Sequence, residues 1–488
     1  MYLRKKPRYS RRKILFYNWA PFDESINVGG GVSTYLRNLV SEYNALKDWE
    51  IFFLSSGWFY SVNSRCFIRE MSEGSNENYH FFAVINSPVR APGILAEDLP
   101  AFLEDKKLFH VLLNFIQEQG GFDVIHFHNF EGLTAAVYKL KDYFPETRFI
   151  YTLHNYFPFC PQVNLWRNDC GNCFGSEEKA ACDECFEFLY GQKRLYKRRI
   201  VYYASCMDPG IIKILKKCAD FVRISSFRKK DTIRLPLKTG TREAGRLMEQ
   251  ITAFRETNIH GLKYGMDSVL TVSRRTRDIA IAYGLPPEKT ILSYIGSPVA
   301  SIQMGESNAD PCDEVFHLIY IGYARNDKGF FFLLDALGSI QAPWTKNIRV
   351  TLAARYEGTP PYIPDTLYQR YARITLLNGY RPQDLNVLLQ GVHLGVVPVL
   401  WEDNLPQVSL ELAAHGVPVL ASDLGGASEL SRSELFRFRG GDKEDFCRKL
   451  YHLFINRNLL KQYWTGYKGI PTMRKHMEEL ERIYSGVK

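Results

Sequence analysis

The sequence predicts an α/β protein of two domains, each a parallel sheet covered by helices. Three observations carry this. Short apolar runs, among them KILFYNW, FDVIHFH, VFHLIYIG and LGVVPVL, recur between helical stretches, as strands buried on both faces do. The stretch from Val392 to Leu430 reads strand, polar loop, helix, strand, glycine turn, so two loops leave the carboxyl ends of neighbouring strands, where open α/β sheets bind ligands. Finally, 488 residues are more than one core usually holds.

Composition narrows the class further. Apolar residues at 45% and charged residues at 24% are ordinary for a soluble globular chain, and no apolar run is long enough to span a bilayer. The opening MYLRKKPRYSRRK has seven basic residues but no apolar segment of a secretory signal, and after Arg11-Arg12 the run KILFYNW reads better as a strand than as part of a twin-arginine signal. Aromatics at 14% fit a chain that handles flat or sugar-like ligands. The net charge of +9 gathers in the N-terminal tail, in Lys193–Arg199 and in Arg228–Lys230. Such clusters suit a solvated surface, an anionic membrane face or an anionic acceptor. No nucleic-acid motif accompanies them, so the membrane surface is favoured and nucleic acid is not expected.

The first strand covers Lys13–Trp19. A helix follows from Val32, with apolar residues at Val32, Tyr35, Leu36, Leu39, Val40 and Tyr43. Between them Gly29-Gly30-Gly31 forms a strand–glycine–helix arrangement that suits a phosphate cradle, although three glycines alone suit a flexible turn equally. Strands are expected near Glu50–Ser55 and Phe81–Ile85, then a helix over Phe109–Gln119. The strand Phe122–Asn129 ends in His128, a helix starts at Gly132, and the strand RFIYTLH delivers His154. Both histidines reach the ligand edge of the sheet.

Cys170-x2-Cys173-x8-Cys182-x2-Cys185 comes next. Two CxxC pairs joined by a short loop suit tetrahedral zinc; a disulfide pair and a redox CxxC are the weaker alternatives, and the role of Cys160 is open. Residues 186–266 are rich in Lys and Arg and mainly helical by pattern, either an exposed hairpin or a basic surface. The strand in Asp267–Ser273 and the strand KTILSYIG close the first domain. Polar residues from Val299 to Asp313 read as a linker.

The second domain opens on VFHLIYIG and the loop Tyr323–Gly329. Strands at Ile348–Ala353 and Ile374–Leu377, a helix over Pro382–Gln390 and the Val392–Leu430 unit follow. In that unit Asn404 suits an N-cap, Pro406 the first turn, Gln407 a capping-box partner and Gly416 a C-cap. The helix start offers free N–H groups to an anion. Asp403 and Glu411 are eight residues apart, and carboxylates accept sugar or ribose hydroxyls well. Helices over Phe446–Ile455 and Arg474–Tyr484 end the chain.

The acid–x7–acid pair resembles the signature of family 4 retaining glycosyltransferases of the GT-B fold. Thr152-Leu153-His154-Asn155-Tyr156 with Cys160-Pro161, and Lys328-Gly329, are similar to further motifs of that family. The resemblance implies two Rossmann-like domains facing each other across a cleft. Residues 1–297 would be the acceptor side, with a cysteine-rich loop at 160–185 and a basic insertion at about 186–266. Residues 298–313 would be the linker, 314–470 the nucleotide-sugar domain, and 471–488 a helix packing back on the first domain.

It further implies transfer of a hexose-type sugar from a nucleotide diphosphate sugar to a glycan or lipid-linked acceptor in bacterial polysaccharide assembly, on the cytoplasmic face of the membrane. His154, Asp403 and Glu411 would be catalytic. Gly30, Gly31, Arg325, Lys328, Asn404, Leu405, Pro406 and Gln407 would hold the donor. Transfer needs no cofactor, so zinc on Cys170, Cys173, Cys182 and Cys185 would be structural. The chain departs from the pattern in three places. Tyr323 stands where the family has an arginine, with Arg325 two residues later as its candidate replacement. Ile295 replaces an asparagine, and Asp403 is a methylene shorter than glutamate, with Glu402 beside it as an alternative. A nucleotide-sugar epimerase of the same fold and a non-catalytic, zinc-bearing scaffold with a degenerate donor cleft are the competing functions.

Overall fold

The computed structural model describes residues 11–22, 28–46, 48–71, 79–167, 169, 171–173, 182–185, 195, 198–200, 202–203, 241–302 and 309–486. The first sheet has eight strands: β1 (Arg12–Tyr17), β2 (Trp49–Phe59), β3 (Phe67–Glu70), β4 (Tyr79–Ile85), β5 (Val124–Phe127), β6 (Arg148–Leu153), β9 (Ser268–Thr271) and β10 (Thr290–Leu292), with a small hairpin of β7 (Trp166–Arg167) and β8 (Gly171–Asn172) between them in sequence. Its order is β10-β9-β6-β5-β1-β2-β4-β3, parallel except for the edge strand β3. The second sheet, fully parallel, comprises β11 (Phe316–Tyr323), β12 (Ile348–Arg355), β13 (Arg373–Leu377), β14 (Leu394–Val397), β15 (Val419–Ser422) and β16 (Arg437–Phe438), in the order β13-β12-β11-β14-β15-β16. Both are Rossmann-like sheets, as the sequence predicts.

Burial explains the apolar runs. In β1, Ile14 and Phe16 join one apolar cluster while Leu15 and Tyr17 join another on the opposite face. Helix Gly30–Leu46 buries Tyr35, Leu36, Leu39, Val40 and Tyr43 of the predicted apolar stripe, and Val32 is half-buried. The first of these clusters runs without a break through Ile295, Met473, Leu480 and Tyr484 into the core of the second sheet.

The last helix, Met473–Tyr484, is capped by the Thr472 hydroxyl, which accepts from Lys475 N at 3.2 Å. It lies on the first domain. His476 Nε2 is 2.7 Å from the Tyr35 hydroxyl, the Tyr484 hydroxyl is 2.7 Å from His126 Nδ1, and Glu481 accepts from Arg12 at 3.1 Å.

Several expected elements are shorter. The run Leu394–Leu400 leaves the sheet after Val397, because Pro398 has no N–H to give a ladder. The helix expected over Pro382–Gln390 is a 3-10 turn, Pro382–Asp384, followed by one α turn, Leu385–Leu388. After Gly425 the chain makes only the 3-10 turn Gly426–Glu429. No helix among the described residues is long and apolar enough to cross a membrane. The N-terminal tail through Ser10 and the cluster Arg228–Lys230 lie outside the described residues. Of Lys193–Arg199, Arg198 is buried, not displayed. Its guanidinium donates to Gly57 O at 2.7 Å and to Ala91 O, and packs on Trp58 and Tyr60, so it pins this segment to the first domain.

Candidate functional site

In each sheet the strand order reverses at one point: β1 lies between β2 and β5, and β11 between β12 and β14. Loops leaving the carboxyl ends of strands at such a reversal diverge and open a crevice. Here the two crevices face one another. The first domain contributes Gly29 with the helix start at Gly30-Gly31, His128 and His154; the second contributes Tyr323–Gly329 and Pro398–Pro406.

Contacts across the cleft fix how these loops meet. Gln407 Nε2 donates to Gly31 O at 2.9 Å, and Asn404 Nδ2 donates to Leu153 O at 3.3 Å, next to His154. Asn326 Nδ2 reaches Asp169 Oδ2 at 3.0 Å, between the Tyr323–Gly329 loop and the β7–β8 hairpin. Arg275 Nε donates to Glu402 Oε2 at 2.8 Å with a second bond from Nη2, so Glu402 is a buried interdomain tie and is not free to extend the reach of Asp403. Glu429 caps helix Arg274–Ala282 from the other domain, accepting from Arg274 N and Arg275 N at 3.0 and 2.8 Å and from the Tyr294 hydroxyl at 2.7 Å.

Asn404 is not the helix N-cap. The helix is Gln407–Ala414, Pro406 occupies the cap position, and no side chain caps it. Asn404 is drawn instead into the interdomain bond to Leu153. The other end follows expectation: Gly416 takes φ +73°, and Gly416 N and Val417 N bond to Ala413 O and Leu412 O, a Schellman ending. Leu405 is buried beside Gly426.

The floor of the cleft holds Lys328. Its Nζ lies 2.5 Å from Asp403 Oδ2 and 4.7 Å from the centre of the Trp401 ring. Two glycines hold this arrangement. A Cβ on Gly329, at φ +71°, would stand 1.7 Å from Pro398 O, so the lysine loop presses on the β14 loop; a Cβ on Gly425, at φ +80°, would stand 1.9 Å from Asp403 O. Arg325 differs from expectation: Nε and Nη2 clasp the buried Asp327 at 2.9 and 2.8 Å, which satisfies its fork. Tyr323 lies half-exposed at the end of β11.

Glu411 accepts a hydrogen bond from the Tyr380 hydroxyl at Oε2, and burial raises its pKa while that bond lowers it. Sequence reasoning missed Tyr380, as it missed Arg275 and Trp401: each is recruited by tertiary placement, with no spacing to announce it.

His154 Nε2 is 3.0 Å from His128 Nδ1, and His154 stands against the ring of Tyr35. Burial, then the neighbouring His476, pushes the His154 pKa down to about 3, so its imidazole is neutral near pH 7. Burial lowers His126, His128 and His476 as well. Three buried polar atoms at or beside the cleft, His128 Nε2, Trp401 Nε1 and Asn404 Oδ1, have no partner among the described residues.

The thiol cluster is only partly described, since Cys170 lies outside the described residues. Cys182 and Cys185 share one helical turn, and Arg255 Nη2 donates to Cys182 Sγ at 2.9 Å. Among the described residues no group of three or more His, Cys, Asp or Glu side chains is placed to hold a metal.

Comparison with known proteins adds to this geometry. By sequence, none of the curated proteins matches. Among solved structures, the sucrose-phosphate synthase of Thermosynechococcus elongatus superposes with TM-score 0.58 at 14% identity, over 98% of this chain and 99% of that one. Anabaena HepE in complex with UDP-glucose gives 0.52 at 12% identity, over 97% and 99% of the two chains. The lipopolysaccharide outer core galactosyltransferase WaaB gives 0.53 at 12% identity, again over 97% and 99%. Residues 315–456 match the family model described as glycosyl transferases group 1, and the chain as a whole has the GT-B fold.

Proposed function

We propose that the chain is a retaining glycosyltransferase that moves a hexose-type sugar from a nucleotide diphosphate sugar to a hydroxyl of a glycan or lipid-linked acceptor in polysaccharide assembly. The observation that supports this best is the placement of Lys328 with Asp403 and Trp401 opposite His154, with Glu411 farther along the same edge. The similarity to Anabaena HepE, a UDP-glucose complex, favours a nucleotide-sugar donor.

In this reading the donor diphosphate takes Lys328, displacing part of its contact with Asp403. The anomeric carbon–oxygen bond breaks with its electron pair on the diphosphate, and a new bond forms to the acceptor oxygen, whose proton leaves with the diphosphate. Lys328 and the backbone of the helix start at Gly30-Gly31 and of the Leu405–Gln407 segment stabilise the charge that develops. Asp403, released from Lys328, and the neutral His154 hold the transferred sugar. Glu411 holds the ribose. Arg325 contributes only if it leaves Asp327. Structural zinc on Cys170, Cys173, Cys182 and Cys185, and docking at the cytoplasmic face of an anionic membrane, complete the proposal; they rest on cysteine spacing and on charge.

The test is a thermal-shift screen against UDP, GDP, ADP and their sugar conjugates. At a hundredfold excess over Kd, a ligand selective for the native state stabilises it by about 2.7 kcal/mol. A shift with one nucleotide class that disappears in Glu411→Ala is expected. No shift with any of them would favour the degenerate scaffold.

A further inference from the structure

Lys328 has two neighbours of different kinds. Its Nζ pairs with Asp403 Oδ2 at 2.5 Å, and it also stands over the face of Trp401, 4.7 Å from the ring centre. Asp403 is its one hydrogen-bond partner among the described residues. The backbone sets these distances. Leu400 N donates to Asp327 O at 2.9 Å, and Gly329 lies too close to Pro398 O to carry a Cβ, so the lysine loop and the loop bearing Trp401 are locked side by side. The half-buried Trp401 ring packs against both large apolar clusters, the one that runs into the second sheet and the one confined to the first domain.

A carboxylate and an aromatic face treat an ammonium differently. The carboxylate neutralises it, whereas the ring attracts it through its quadrupole and leaves the full positive charge in place. A donor diphosphate brings negative charge to Lys328 and repels Asp403, which is negative as well. Trp401 is neutral and stays where the two domain cores hold it. We propose that Trp401 is a positioning residue: its face keeps the Lys328 ammonium aimed at the diphosphate once Asp403 has let it go. This rests on the reading of Lys328 as the diphosphate ligand. Without the ring, only Asp403 would order the flexible four-carbon stem. The lysine would then stay with that carboxylate, or lose side-chain freedom on meeting the phosphate, and either outcome weakens binding.

The experiment is a double-mutant cycle read by titration calorimetry. UDP, GDP and ADP are titrated into the wild type, and the one that binds is carried into Trp401→Leu, Lys328→Met and the double variant. Trp401→Leu should weaken binding about fivefold when Lys328 is present, the size of a partly desolvated cation–π contact, and less than about twofold when it is Met. A loss of the same size in both backgrounds assigns the ring to packing alone and overturns the proposal, as does no loss in either. Trp401→Phe is an independent check that stands even if the Lys328→Met proteins bind too weakly to titrate. Phenylalanine keeps a face over the ammonium and should stay within about twofold of the wild type; binding as weak as in Trp401→Leu overturns the proposal. Failure of all three nucleotides to bind the wild type, or unchanged binding in Lys328→Met alone, overturns the donor-site reading itself and is seen before the cycle is closed. Unchanged melting temperatures confirm that the variants are folded.

Discussion

Acidification should destabilise this protein, and the buried histidines give the direction of the effect. Burial holds His154 at about 3 and His476 at about 4, against an ordinary value near 6.5. The unfolded chain therefore binds protons that the folded chain refuses, and stability falls as pH drops from the unfolded value towards the folded one. Between about pH 8 and about pH 5 each of these two groups removes about 2 kcal/mol. His126 and His128, lowered by the same cause, act in the same direction. Carboxyls raised by burial, Glu131, Glu411 and Glu479, work in the opposite direction. Glu131 is buried, accepts from Gly93 N and Asn155 Nδ2, and is pushed up to about 7 by desolvation. It binds a proton more readily folded than unfolded, so its contribution is full below the ordinary carboxyl value and is lost as pH rises through about 7. On acidification it returns about 2 to 3 kcal/mol, less than the roughly 4 kcal/mol that His154 and His476 remove together. Urea denaturation at a series of pH values checks this, in the wild type and in His476→Asn, which should recover about 2 kcal/mol of the acid loss. A wild-type stability that is flat or rising from pH 8 to pH 5, or a variant with the same slope, would refute the assignment of a neutral histidine core.

Other outcomes follow from single contacts. Arg275→Ala leaves Glu402 buried without its partner; because the arginine is partly exposed, the expected loss is about 2 kcal/mol in chemical denaturation. Gly425→Ala forces a side chain against Asp403 O from a left-handed backbone, and should cost at least about 2 kcal/mol and weaken nucleotide binding with it. If the four thiols hold zinc, metal analysis of protein purified without chelator should find about one zinc per chain, lost in Cys182→Ser with donor binding retained; no zinc would remove the knuckle from the proposal.

The sequence made much of this legible, for physical reasons. Strands buried on both faces leave apolar runs that no turn interrupts, so β1, β5, β11 and β15 could be placed to within a few residues. Glycines at left-handed positions mark where one loop presses on another. Side-chain partnerships were much less legible. Asn404 has the chemistry of an N-cap, yet a carbonyl of the opposite domain takes its amide. Arg325 has the reach to replace a missing arginine, yet Asp327, two residues away and buried, holds it. Tyr380 is an unremarked aromatic in NGYR until the fold sets its hydroxyl on Glu411. Each of these outcomes depends on distances between strands far apart in the chain, which no local pattern encodes.

The return of helix Met473–Tyr484 to the first domain also bears on how the chain is made. Arg12, in the first strand, pairs with Glu481, and Tyr35 and His126 wait for His476 and Tyr484. During synthesis the amino-terminal domain emerges first and folds as a unit, but it must do so with the seat of this helix empty. Tyr35, Tyr43 and the apolar face around them would stay open to water while the whole second domain is being translated. The domain that leaves the ribosome first is thus the last to be completed, and a stalled or truncated chain would expose an aromatic, aggregation-prone groove that chaperones can bind.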